Sequence, residues 1–339
     1  MKLSVLEHGH ISEGRNVNNA LQEAVILAKH AEQLGYSRFW MSEHHGGGAL
    51  SFSSPEIMIG HVAAHTERIR VGSGGVMLPH YSAYKVAENF RLLEALHPGR
   101  IDLGIGRAPG GMPIASRALN EGKSSNVQFF PQQIADLGGY FHEQLPEDHR
   151  FASLVAGPSV PTVPEVWLLG SSSEGARIAA AQGTAYAFAQ FFGTPGGEEA
   201  MKHYRHHFKP SILNDKPHSM IAVSAFCADT EEEAAELARS NELFFLRLGR
   251  GLEQKSFPSL ETVNNYPYTA MELEQIRQRR SFSIIGTPDQ VKDKIIAMAE
   301  RHEADEVIIA SAIHSFEARL RSFSLIAEAF GLHQDINSL

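Results

Sequence analysis

Short apolar runs alternate with amphipathic stretches along the chain. Residues 3–6 read as a strand. Residues 18–34 read as a helix with Leu21, Val25, Ala28 and Ala31 on one face, stopped by Gly35. The alternation continues with a strand over 38–42, a helix from Pro55 to about residue 65, a strand over 69–76, a helix over 84–96 and a strand over 100–105. An irregular stretch precedes a helix over 127–141, and residues 146–164 are loop-rich. Strands over 166–169, 186–189, 220–227 and 306–310 follow, with helices over 174–182, 198–208, 231–248 and 316–330. Strands that are each followed by a helix imply a parallel sheet. Eight such units predict a closed (β/α)8 TIM barrel with insertions after strands four and seven. No break in composition divides the chain, so residues 1–339 are expected to form one domain. Residues 251–268 carry Pro258, Asn264, Asn265 and Pro267 and are expected to be a mobile loop. Extra helices, near 271–280 and opened by Pro288, precede the last strand.

Composition narrows the class without naming a reaction. A hydrophobic content of 43% over 339 residues is enough for a large core. The net charge of -9 and the lack of a basic stripe argue against nucleic acid as a partner. A lone cysteine, Cys227, excludes an internal disulfide and fits a reducing compartment. The N-terminal apolar run is too short for a signal peptide, and no run approaches a membrane span. A soluble, cytoplasmic protein is expected.

In this fold, chemistry sits at the C-terminal ends of the strands. His8 and His10 after strand one have the spacing of a metal pair. The remaining ligands of such a site are missing from strand four (Gly104 to Arg107) and strand five (Gly170 to Ser173), so no metal is expected. Glu43, His44 and His45 end strand two. They are either site residues or hydrogen-bonded rim residues. His61 and His65, four apart, are expected on an outer helix face. Gly72, Gly74 and Gly75 at strand three suit either a flat ligand close to the backbone or a tight bend. After strand four, Pro109 spoils a dinucleotide fingerprint and leaves Arg107 as a cation at the mouth. Gly170, Ser171, Ser172, Ser173 and Gly175 open a helix. They suit either a phosphate or an ordinary serine cap.

Four segments together carry a family likeness: Trp40-Met41-Ser42-Glu43-His44-His45, the run from Val71 to Pro79, the run from Pro98 to Gly110, and the run from Val166 to Ser172. Over about residues 1–330 the chain resembles the bacterial luciferase-like monooxygenase family, and within it the single-chain flavin oxidoreductases. The resemblance implies FMN at the barrel mouth. Its phosphate would lie on Gly170, Ser171, Ser172 and the helix turn through Gly175, with Arg107 nearby. It also implies a non-prolyl cis peptide at Gly74–Gly75 under the flavin ring, and His44 as the active-site base. Gly106 stands where luciferase has a reactive cysteine, which argues against light emission and a long-chain aldehyde. The expectation is a two-component monooxygenase acting on a small organic substrate with O2 and with reduced FMN from a separate NAD(P)H:flavin reductase. A homodimer packed through early barrel helices is also expected. The alternatives are an F420-dependent hydride-transfer oxidoreductase on the same barrel and a non-catalytic flavin-binding protein.

Overall fold

A computed structural model of the chain describes residues 1–252 and 254–332. Its strands are β1 (Lys2–Glu7), β2 (Arg38–Met41), β3 (Arg70–Ser73), β4 (Val76–Met77), β5 (Ile101–Gly106), β6 (Glu165–Gly170), β7 (Ala185–Ala189), β8 (Ser219–Cys227), β9 (Ser283–Gly286) and β10 (Glu306–Ala310). The ladder runs β1, β2, β3, β5, β6, β7, β8, with β10 pairing both β8 and β1, so the sheet closes on itself. The result is an eight-stranded parallel barrel. β4 adds to β5, and β9 pairs the far end of β8. Closure leaves the eight barrel strands without a free edge.

Helices flank the ring: α1 (Val17–Leu34), α2 (Pro55–Ala63), α3 (Ala83–Leu96), α4 (Pro113–Leu119), α5 (Phe130–His142), α6 (Ser173–Gln182), α7 (Gly197–His206), α8 (Glu231–Gly249), α9 (Leu260–Asn265), α10 (Ala270–Arg280), α11 (Pro288–Arg301) and α12 (Phe316–Phe330). Local chemistry sets their ends. Asn16 and Asn19 satisfy each other's backbone N–H at 3.1 and 3.0 Å to start α1, and Gly35 ends it in the left-handed region.

The period of two along each strand sorts side chains between two cores. Val5, Phe39, Val71, Leu103, Leu168, Val223 and Ile309 pack outward against the helices. Leu6, Trp40, Trp167, Met220, Ala222 and Ile308 fill the barrel interior. Below them, at the N-terminal end of the strands, the interior is charged. Arg38 donates to Glu306 at 2.9 and 3.2 Å, and to Asp102 and Glu165 at 2.8 Å each.

Two segments depart from the sequence expectation. Strand three is not continuous over 69–76. It stops at Ser73, and the Gly74–Gly75 peptide is cis before β4 resumes. Residues 251–268, expected as a mobile loop, contain α9 and are tied to the loop after β1. Phe257 is fully buried and exchanges backbone hydrogen bonds with Ile11 and Glu13 at 2.7 and 2.9 Å. The Glu13 carboxylate accepts from Ser259 N at 2.9 Å and Thr262 Oγ1 at 2.7 Å. Glu253 of that segment and the expected domain end at 333–339 lie outside the described residues. The strand β9 was not anticipated, because four residues between two helices carry too little periodicity to register.

Candidate active site

The C-terminal ends of the strands surround a cavity of about 690 Å³. All seven residues expected to bind a cofactor line it: Gly74, Gly75, Arg107, Gly170, Ser171, Ser172 and Gly175. Its apolar wall includes Leu6, Trp40, Leu169 and Ile308, so the barrel core forms the floor of the site.

The glycines are there for packing as well as access. A Cβ on Gly74 would sit 2.6 Å from Leu6 Cδ1, and one on Gly75 would sit 2.7 Å from the Gly104 carbonyl oxygen. Side chains at 74 and 75 would strike the barrel wall, so this stretch presents only flat backbone to the cavity. Gly170 and Gly175 likewise face each other. A Cβ on either would lie 3.4 Å from the other's Cα, which lets the end of β6 and the first turn of α6 close together.

Ser172 is the N-cap residue of α6, and its hydroxyl makes no capping bond. The first N–H groups of a ten-residue helix and two serine hydroxyls therefore meet at one wall of the cavity. Arg107 stands beside this turn, half exposed, with Nη1 4.0 Å from Glu174 Oε1. A solvent-exposed ion pair of that length contributes at most about 1 kcal/mol. Arg107 can therefore exchange Glu174 for a bound anion at small cost.

His44 does not line this cavity. It lines an adjoining one of about 120 Å³, together with His8, His10, Ser224 and Asn241. Phe191 and Phe192, just past β7, border both spaces. Residues 43–45 divide their roles by direction. Glu43 is buried and structural: it accepts from Tyr81 Oη at 2.7 Å and from Met77 N at 3.0 Å, and its Oε1 lies 2.6 Å from His45 Nε2. His44 turns to the cavity side. Its Nδ1 is 3.0 Å from Ser42 Oγ, and the same hydroxyl is 3.0 Å from His8 Nδ1.

That bridge fixes a chemical relation. A serine hydroxyl has one proton, so it donates to one imidazole and accepts from the other. One of the two histidines then presents N–H at Nε2 and the other a lone pair. Neither Nε2 has a protein partner among the described residues. Burial lowers His8 to about 4 and His44 to about 3, with neighbouring His8 and His45 adding to the effect on His44. His10 is lowered well below its usual value by burial and then by His8. All three rings are neutral at neutral pH.

His8 and His10 do line the second cavity; among the described residues no group of three or more His, Cys, Asp or Glu is placed to hold a metal ion. His61 lies exposed on α2 and His65 in the turn that follows it, and neither lines the two cavities. Sequence reasoning missed Phe191, Phe192, Ser224 and Asn241. The two phenylalanines had a usable signal, since they directly follow a barrel strand. Asn241 had a fainter one, as a polar residue on the buried face of α8.

Residues 1–304 match the family model for luciferase-like monooxygenase. A Bacillus subtilis (strain 168) relative, the uncharacterized protein YwcH, is 51% identical, with 97% of this chain and 99% of the relative covered. The N-acetyl-S-alkylcysteine monooxygenase of the same organism is 36% identical, with 97% and 98% covered. The crystal structure of apo-MsnO8 superposes with a TM-score of 0.88 at 37% identity, covering 98% of both chains. At the level of fold alone, the oxygenating constituent of 3,6-diketocamphane monooxygenase from Pseudomonas putida, solved with FMN, superposes with a TM-score of 0.70 at 18% identity, covering 97% of each.

Proposed function

The chain belongs to the luciferase-like monooxygenase family, and we propose that it is the oxygenase of a two-component system that uses FMN reduced by a separate NAD(P)H:flavin reductase. The observation that carries this reading is the single 690 Å³ cavity that gathers a flat glycine floor, the α6 N-terminus and Arg107. Its size lies within the usual range for small-molecule sites. Gly74 and Gly75 offer backbone to one face of a flat ring. Ser171, Ser172 and the first N–H groups of α6 hold a phosphate, with Arg107 closing over it. Arg107 is the one cationic side chain lining the cavity among the described residues. This suits the short phosphate tail of FMN better than the long anionic tail of F420.

When bound and reduced, the flavin supplies the electrons that activate O2. The protein's part is to keep the mouth dry and to manage a proton. Trp40, Leu6 and Ile308 exclude water from the inner wall. Along His8, Ser42 and His44, a proton taken up at one free Nε2 is matched by one released at the other, as the Ser42 hydroxyl switches partner. No charged imidazole forms, in keeping with the lowered basicity of both rings. His44 is the catalytic residue of this reading: it lines the pocket beside the mouth cavity, and its Nε2 has no protein partner among the described residues.

The relative that oxidises N-acetyl-S-alkylcysteine supports a small organic substrate. A homodimer through α2 and α3 is supported by Ile57, Leu92 and Leu96, which those neighbouring helices leave exposed. The buried, lone Cys227 suits the cytoplasm.

Flavin fluorescence titration tests the cofactor. FMN, and reduced FMN under anaerobic conditions, should bind at micromolar levels and more tightly than F420. Arg107→Ala should weaken FMN by about tenfold and leave riboflavin, which has no phosphate, unchanged. Failure of both FMN forms to bind, or tighter binding of F420, would sink the proposal. Oxygen uptake with a supplied reductase, with and without thioether substrates, tests the reaction.

A further inference from the structure

Phe192 borders three cavities. The first is the 690 Å³ space at the barrel mouth. The second is the 120 Å³ histidine pocket, which holds about four water volumes. The third, of about 320 Å³, lies between α8 and α10 and shares Phe245 with the histidine pocket. Phe192 is common to all three spaces and Phe245 to the second and third, so these two rings stand between the α8–α10 face and the space of the proposed flavin.

The charges along the outer cavity are unequal. Glu242 is taken by Arg280 through two bonds of 2.6 and 2.9 Å, and Arg250 is paired with Glu272. Arg279, in the same wall, has no carboxylate partner among the described residues. Its Nη2 donates to the Phe191 carbonyl at 3.2 Å, and its guanidinium carbon lies 3.6 Å from the centre of the Phe245 ring. Among the described residues Nε and Nη1 are left without a protein partner. Burial without a neutralising acid lowers Arg279 to about 10. A half-buried, uncompensated guanidinium is costly unless something negative joins it.

The inner end has the opposite character. Asn241, Ser224 and His10 are each more than nine-tenths buried, and their side chains have no hydrogen-bond partner among the described residues. The three histidines are neutral, and Phe191, Phe244 and Leu248 complete the wall. This pocket fits a neutral, largely apolar segment bearing one hydrogen-bonding group, and it disfavours a charge.

We propose that the substrate is an organic carboxylate that binds with its charged end on Arg279, while its neutral body passes Phe192 and Phe245 into the histidine pocket. This rests on the monooxygenase reading and adds to it the substrate class and the direction of entry. A planar guanidinium with free Nε and Nη1 suits the two oxygens of a carboxylate. The contact at the Phe191 carbonyl places the anchor beside the turn that divides the cavities.

The test compares matched acids and esters on the full chain, with and without FMN: hexanoate, 4-phenylbutyrate and N-acetyl-S-benzylcysteine, each against its methyl ester, by calorimetric titration. The wild-type protein should bind the acids about tenfold or more tightly than the esters. Arg279→Gln should abolish that preference and leave ester binding unchanged, and Arg279→Lys should keep part of it. A purely structural role for Arg279 would weaken acid and ester together and leave the ratio intact. Equal binding of acid and ester by the wild type, survival of the preference in Arg279→Gln, or no binding of any acid at millimolar concentration would each overturn the proposal. Should Arg279→Gln fail to fold, the wild-type ratio and Arg279→Lys decide. FMN affinity is read in the same samples. Its loss in the wild type would defeat the flavin reading, while the acid-to-ester ratio would still report on Arg279.

Discussion

The two ends of this barrel both bury polar groups, and they treat them in opposite ways. At the N-terminal end, among the described residues, the buried charges are paired. Asp102 accepts from Trp40 Nε1 and from Arg38 at 2.8 Å each and from Arg70 at 2.8 and 2.6 Å, while Glu306 holds Arg38 and lies 3.0 Å from His218. At the C-terminal end, His8, His10, His44, Ser224 and Asn241 leave polar atoms unmatched around a cavity. A buried polar group without a partner costs stability; the base pairs its charges and leaves only neutral atoms such as Trp167 Nε1 unpartnered, while the mouth turns its unmatched atoms toward a cavity. Satisfied polarity at the base locks the strands in register. Unsatisfied polarity at the mouth is available to a ligand. The difference separates structure from function even though both ends read as polar residues on apolar strands.

The largest effect should come from the base. Arg38→Met removes the cation shared by Asp102, Glu165 and Glu306, and leaves the nearly inaccessible Asp102 and Glu306 with only their outer partners, Arg70 and His218. Breaking one partner of a buried ion network typically costs about 3–5 kcal/mol. Urea denaturation at pH 7 should show a loss of that size. A loss below about 1 kcal/mol would mean that the network is not what holds the base.

The mouth should answer the other way. His44→Ala removes a ring whose Nε2 has no protein partner, so stability at pH 7 should change by no more than about 1 kcal/mol. Turnover should fall on the order of a hundredfold, the scale of a lost proton-transfer group, with FMN affinity kept. If His44→Ala lowers stability as much as Arg38→Met does while sparing turnover, the contrast between the ends collapses.

Much of this contrast could be read in the sequence, for a physical reason. Strand ends are punctuated by residues whose side chains limit them to a few tasks. Gly74, Gly75, Gly170 and Gly175 were recognisable because only glycine permits such close approach, and Ser171 and Ser172 because they open a helix. Whether Glu43 or His44 faces the cavity was not legible, since it depends on a half-turn of backbone just past β2. The Ser42 bridge needed coordinates for the same reason, as it joins two different strand ends. Residues 251–268 look like a loose loop by composition. Their anchor is Phe257 seated beside His10, a contact between segments more than 240 positions apart that no local pattern encodes. Arg279 was hidden among the three arginines of α10, and only the pairing of Arg277 with Glu274 and of Arg280 with Glu242 singles it out.

Acid pH should separate the two ends by window, with the smallest effect per group. At the mouth, burial sets the folded-state pKa of His44 at about 3 against an ordinary 6.5. Between those values the unfolded chain takes up a proton that the folded chain refuses, so stability falls as pH drops below 6.5. At the base, burial alone would raise Glu306, but His218 and Arg38 outweigh it and hold the carboxyl at about 2 against an ordinary 4.5. Its contribution is complete above 4.5 and is lost as pH falls toward 2. Loss of stability between pH 6.5 and 4.5 therefore reports on the histidines, and only below 4.5 does this carboxylate join in. Each group that titrates in one state alone contributes a slope of up to about 1.4 kcal/mol per pH unit. Unfolding free energies from urea denaturation between pH 7 and pH 4.5 should thus fall less steeply for His44→Ala than for the wild type, by up to that amount per unit. An identical slope in the two proteins would show that water reaches His44 freely, and the mouth would then carry no cost for a ligand to relieve.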